Sequence, residues 1–182
     1  MKKISRLSTA AAVVGLFAIA PAAQAYDGEI TFNGMVTALT CTINNGTPDF
    51  TVQMPYVSTT SLAAEGNTAG RTPFSIALTD CTPTDAGHTV ATFFEPGSTV
   101  NPATNQLFTA RAGSNVELRL LNAGDYSKIL AGAAAGSQNS APFALDASGN
   151  ATMNYYVEYV AVGGAATPGD ASSSIFYTVT YQ

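Results

Sequence analysis

Charge is the first thing this sequence is short of. Asp, Glu, Lys and Arg together make up 10% of its 182 residues, against about 25% in an ordinary soluble domain. Basic residues are the scarcest. Three of the seven, Lys2, Lys3 and Arg6, sit at the amino terminus, which leaves Arg71, Arg111, Arg119 and Lys128 against twelve acids. That balance argues against nucleic acid as a partner, because binding a phosphate backbone needs an excess of basic side chains. Histidine is limited to His88, and no G-x-S-x-G or other nucleophile setting accompanies it, so Ser–His–Asp chemistry has no support. Acid pairs such as Asp80 and Asp85 imply no shared cleft for glycosidase chemistry. A glycine-rich phosphate loop is missing, and two cysteines with no nearby histidine cannot complete a zinc shell. These absences point away from an enzyme; no catalytic residue, metal or cofactor is expected.

Long apolar runs are equally scarce. Only Ala10 to Ala20 qualifies, and it falls well short of the ~20 residues that span a bilayer. Preceded by Lys2, Lys3 and Arg6 and followed by Pro21 and Ala23-Gln24-Ala25, it reads as a secretion signal with an A-x-A cleavage site. Residues 1–25 are therefore expected to be removed, leaving 157 of the 182, enough for one domain. The product is expected to be exported. In that setting the pair Cys41 and Cys81 reads as one disulfide, stapling the first strand of the mature domain to a later one.

No convincing helix follows the signal. Short alternating runs broken by Gly, Pro, Asn and Ser recur along the mature chain, the signature of a sandwich or barrel. Strands are predicted over Glu29–Leu39 (with a bend at Gly34), Phe50–Met54, Phe74–Thr79, Thr89–Phe94, Asn115–Leu121, Met153–Val162 and Ser174–Tyr181. In Asn115–Leu121 the alternation sets Val116, Leu118 and Leu120 inward and Glu117 and Arg119 outward. The small-residue loops Gly132–Ser140 and Gly163–Ala171 are expected to be mobile.

The two ends are the unusual part. Tyr26 to Gly34 is extended and alternating, and Ile175, Tyr177, Val179 and Tyr181 alternate in a strand that runs into the carboxyl terminus. Apolar strands left bare at both termini are an aggregation hazard unless another chain is meant to pair with them.

With those residues in view, the chain resembles the type 1 fimbrial (pilin) subunits of the bacterial chaperone–usher pathway. The opening Gly28-Glu29-Ile30-Thr31-Phe32-Asn33-Gly34-Met35-Val36 is similar to the family's donor segment, Cys41 and Asp80-Cys81 to its cysteine pair. Gly169, fourteen positions from the end, and the penultimate Tyr181 match its C-terminal signature. The resemblance implies an all-β, incomplete immunoglobulin-like β-sandwich lacking its final strand, with an N-terminal donor-strand extension. Residues 26–37 are the extension running into the first strand, and 38–182 the pilin domain. Tyr26, Gly28, Ile30 and Phe32 then enter the groove of the preceding subunit, with Gly28 the small residue that lets strands exchange. Gly169, Ile175, Tyr177, Val179, Tyr181 and Gln182 form the groove edge that a periplasmic chaperone grips, its basic residues holding the Gln182 carboxylate. The implied partners are identical or related pilins, that chaperone, an outer-membrane usher and a host or surface receptor. The implied role is a structural subunit of a surface fimbria, exported through the periplasm and supporting adhesion and biofilm formation. A major shaft subunit is favoured over a minor adaptor or receptor-binding subunit, because 157 residues leave no room for the extra lectin domain of a tip adhesin.

Overall fold

The alternating runs become strands that pair antiparallel throughout. In the computed structural model the described residues are 28–32, 34, 36–82 and 87–181, so the signal segment, Tyr26 and Gln182 lie outside them. By internal contacts the chain divides into residues 1–35 and 36–182. In the first unit Gly28–Phe32 has no regular secondary structure, and Ile30 and Phe32 are 78% and 87% exposed.

Nine strands are described in the second unit: β1 (Thr40–Ile43), β2 (Thr68–Thr82), β3 (Thr89–Phe94), β4 (Val100–Asn101), β5 (Gln106–Phe108), β6 (Val116–Asn122), β7 (Phe143–Ala144), β8 (Ala151–Ala161) and β9 (Tyr177–Tyr181). They make a six-stranded sheet in the order β1-β2-β8-β6-β5-β4 and a three-stranded sheet β7-β3-β9. Among the described residues, helical structure is limited to two short 3-10 turns, Asn44–Gly46 and Thr59–Leu62.

Two predicted strands are not strands. Among the described residues, the segment expected from Glu29 begins its ladder only at Thr40, and Phe50–Met54 has no ladder at all. Alternation shows which face a residue prefers, but a strand also needs a neighbouring backbone for its N–H and C=O groups. β2 runs the other way, at fifteen residues against the six predicted. Pro73 does not interrupt it. β8 pairs with Thr68 to Leu78, but β1 reaches only as far as Leu78, so around Pro73 the strand has a free edge. An edge position tolerates a residue with no N–H. Four residues on, the Ala77 N–H is taken by Asn44 Oδ1 at 2.8 Å.

The cysteine pair depends on a bulge. Ile76 and Leu78 face the core, so strict alternation would turn Asp80 inward and Cys81 out. Instead the register between β1 and β2 slips between Thr40 and Thr42, and Asp80 adopts a left-handed φ of 53°. The extra residue reverses the facing. Cys81 is fully buried and bonded to Cys41, with the sulfurs 2.07 Å apart.

Between the sheets, Ile76, Leu78, Leu118, Leu120, Met153 and Val157 pack against Val90, Phe94 and Val179. Tyr155 is the hub, its ring 5.5–5.8 Å from those of Phe74, Phe94 and Phe143. Its hydroxyl reaches across to donate to Thr92 Oγ1 at 3.0 Å, so the buried phenol leaves no polar atom unpaired. The loop over residues 132–140 is not the free segment its composition suggests. Gln138 is buried, accepts from Phe94 N and donates to the Phe94 and Ala133 carbonyls.

The outer face of the larger sheet brings a second correction. Glu117 is on the outward face as predicted, yet it is 6% exposed. The β4–β5 hairpin covers it, and Asn101 Nδ2, Thr104 Oγ1 and Gln106 Nε2 donate to its carboxylate at 2.6, 2.7 and 2.9 Å. Beside it Glu158 is 1% exposed and held between Arg71 and Arg119, Nε to carboxylate 2.9 Å on both sides. This triad crosses β2, β8 and β6.

Candidate assembly groove

β9 is the end strand of its sheet. It pairs with β3 from Tyr177 to Tyr181 and has no other strand neighbour among the described residues. The residues before it continue the same edge. The Phe176 carbonyl accepts from Glu95 N–H at 2.9 Å, that of Ser172 from Ala110 N–H at 2.8 Å and that of Asp170 from Arg111 N–H at 3.1 Å. With the carbonyls of even-numbered residues bonded inward to the sheet, strand alternation turns the amides of Ala171, Ser173, Ile175, Tyr177 and Val179 to the free side.

On that side lies a groove of about 870 Å³. One wall is the segment 169–177, the other is Pro48–Val57, and Phe74, Phe94, Leu118 and Val157 form the floor. Ile175 and Tyr177 are half-buried in the wall, while Phe176, pointing the other way, is 85% exposed. Across the groove Val52 and Met54 are half-buried against the core. The Phe50–Met54 alternation is therefore real and inward-facing, and its backbone runs along an open groove in place of a partner strand.

Tyr177 crosses this space. Its hydroxyl donates to the Pro48 carbonyl at 2.8 Å, and its ring meets Phe50 edge-on at 6.5 Å. Burial pushes the Tyr177 phenol above its ordinary value, and the nearby Asp49 charge adds to that. Ser173 Oγ, further along the same wall, is buried without a hydrogen-bond partner. At the far end Gly169 is packed under Arg111: a Cβ there would collide with Arg111 Cδ, so no larger residue fits without moving that side chain. Asp170 follows, its carboxyl held below the usual range by hydrogen bonds from the Ser172 hydroxyl at 2.6 Å and amide at 2.9 Å.

Gly169, Ile175 and Tyr177 thus line the groove, and Val179 and Tyr181 continue the strand into the core beside β3. Gln182 and Tyr26 lie outside the described residues, and Gly28, Ile30 and Phe32 belong to the separate N-terminal unit. Sequence reasoning missed the Pro48–Val57 wall as part of the site. Its signal was present in the apolar alternation of Phe50, Val52 and Met54, followed by Pro55. Among the described residues no cluster of three His, Cys, Asp or Glu side chains could hold a metal ion.

Comparison with known proteins agrees with this architecture. The family model "FimA: Type-1 fimbrial protein, A" matches residues 54–182. The major fimbrial subunit SMF-1 of Stenotrophomonas maltophilia (strain K279a) is 49% identical over 92% of this chain and 100% of its own length. The F17 fimbrial protein of Escherichia coli is 41% identical over 93% of this chain and 97% of its own. The serotype 2 fimbrial subunit of Bordetella pertussis is 35% identical, covering 91% of this chain and 92% of its own. In fold, the P pilus rod subunit PapA superposes with a TM-score of 0.52 at 21% identity, covering 85% of this chain and 99% of its own. The chain belongs to the type-1 fimbrial protein family, as a structural subunit of a surface fimbria and not an enzyme.

Proposed function

We propose that this subunit polymerises by β-strand addition, the N-terminal extension of each copy filling the groove of the preceding one. The observation that carries the reading is the unpaired edge of β9 beside an apolar groove of about 870 Å³. A strand laid there meets free main-chain groups on β9, which supply affinity, and a row of side-chain spaces, which supply specificity. The extension fits the part. After cleavage behind Ala25 the mature chain starts at Tyr26, residues 26–37 act as the donor segment and 38–182 as the receiving domain. Tyr26, Gly28, Ile30 and Phe32 share a face by strand period, and burying Ile30 and Phe32 contributes roughly 1.5–3 kcal/mol each.

Before assembly a periplasmic chaperone lends its own strand to the same edge, gripping Ile175, Tyr177, Val179 and Tyr181 and pairing basic residues with the Gln182 carboxylate. An outer-membrane usher then hands the subunit to the growing fibre. The name of the 49% identical relative, a major fimbrial subunit, supports a shaft role over an adaptor. Fibres of this subunit support adhesion and biofilm formation at the cell surface.

Deleting Tyr26 to Asn33 is the direct test. The shortened subunit is expected to remain chaperone-bound in the periplasm and to be absent from sheared fibres. Normal fibres built from it end the proposal.

A further inference from the structure

The outer face of the larger sheet carries a bulge in β2. Its ladder to β8 pairs Ala69 with Tyr159 and Thr72 with Val157, so Gly70 and Arg71 together oppose Glu158. Gly70 takes a left-handed φ of 66°, and a Cβ there would meet the Tyr159 ring at 2.9 Å. A bulge of this kind re-aims the side chain beside it. Arg71 is aimed at Glu158, to which its Nε donates at 2.9 Å, and lies over the Tyr126 ring, 4.5 Å from the centroid. Tyr126 is itself held at a left-handed φ of 59°, with its ring 5.4 Å from that of Tyr156. Left-handed backbone at a bulky residue is costly and persists only where the surroundings over-determine it.

The ion pair uses only the Nε of Arg71. Among the described residues its two terminal nitrogens take no hydrogen bond, and the side chain is 40% exposed. They form a fixed fork that matches a carboxylate with two parallel bonds. Two arginines share the single carboxylate of Glu158, so the triad keeps a net positive charge. Beside it the Tyr126 ring is 50% exposed and Tyr156 is half-buried. Ser75 and Asn154, directly opposed in the ladder and both exposed, add a hydroxyl and an amide on the face that Tyr156 shares.

We infer that this face binds a carboxylated sugar, with its acid group on the Arg71 fork and its ring against Tyr126 and Tyr156. Aromatic rings with a few convergent polar groups suit such a ligand. The C–H face of a pyranose covers a tyrosine ring, and its hydroxyls find Ser75 and Asn154. Arg71 is already fixed by the bulge, by Glu158 and by Tyr126, so little side-chain freedom is lost when an acid binds. Asp125, next to Tyr126 in the chain, accepts from the Ser127 amide at 2.9 Å and does not occupy the fork. One such site binds weakly, but a fibre repeats it on every copy and gains by multivalency. The site goes beyond the strand-addition reading and does not depend on it, since all its residues belong to one domain.

The test measures retention of purified fibres on immobilised polygalacturonate, a polymer of carboxylated sugar rings. Wild-type fibres are expected to bind, and to be released as salt screens the charge. On the fully methyl-esterified polymer, which keeps the rings and loses the charge, retention is expected to fall about ten-fold or more. That is the scale of a lost charge-assisted hydrogen-bond pair. Arg71→Lys, which keeps the charge and loses the fork, is expected to fall as far. Tyr126→Asn removes the ring, suits left-handed backbone and leaves Glu158 paired, and it is expected to weaken binding likewise. Fibres with no affinity for polygalacturonate, or either variant binding as wild type, overturn the site. Equal retention on polyglutamate overturns the sugar and points to the acids of a protein partner. Binding by unassembled subunits but not by fibres marks a contact between copies and also overturns it.

Discussion

Glu158 accepts hydrogen bonds from two arginines that are themselves part-exposed, Arg71 at 40% and Arg119 at 27% of the side chain. Removing one partner of a buried carboxylate costs more than the pair's net worth, because the charge left behind is desolvated and under-bonded. Arg119→Ala is expected to destabilise the subunit by about 2–3 kcal/mol. Arg71→Ala, which deletes the more exposed partner and a single bond, is expected to cost about 1 kcal/mol or less. Guanidinium midpoints of assembled fibres measure the difference, and equal losses from the two substitutions would contradict this ranking. The sequence shows the facing of these residues and hides their burial. Period two set Glu117 and Arg119 on the outer face of β6 correctly. It carries no information on the β4–β5 hairpin that then folds over Glu117 and supplies Asn101, Thr104 and Gln106. Coverage is a property of the tertiary fold.

Among the elements, β3, β6, β8 and β9 were legible because each alternates cleanly and each has a strand to pair with. β2 was half legible, since a proline normally ends a strand and only the sheet order puts Pro73 on a free edge. β4 and β5 are two and three residues long, too short for any period to register. Phe50–Met54 and Gly28–Phe32 read as strands and form no ladder, because a ladder needs a neighbouring backbone and none pairs with them among the described residues. The disulfide ties β1 to β2 across a bulge, closing a loop with a sequence separation of 40. On chain-entropy grounds such a closure stabilises by about 4 kcal/mol. Replacing Cys41 and Cys81 together by serine is expected to cost close to that, seen as a fall in the steady-state level of periplasmic subunit. An unchanged level would show that the fold does not lean on the cross-link.

For the whole molecule, the sandwich has unequal layers, and its core is open along one seam. Under the proposed strand addition, a strand from another copy fills that seam and closes the core of each domain. Fibres are therefore expected to give ladders of multimers that survive warm detergent and collapse to monomer on boiling. Ladders that fall apart in warm detergent would point to ordinary surface contacts. The bare C-terminal strand was readable in advance, whereas the wall facing β9 was not, since no local pattern tells which segment a groove will lie against. Around Pro73 the larger sheet is bare, but its backbone lacks one donor there and another is already taken by Asn44. The remaining rims are short, four residues in β1 and two each in β4 and β7. Under the proposed strand addition, a molecule with one long open rim and one donor segment has one way in and one way out. Growth is then confined to a line, and the filament neither branches nor spreads into a mat.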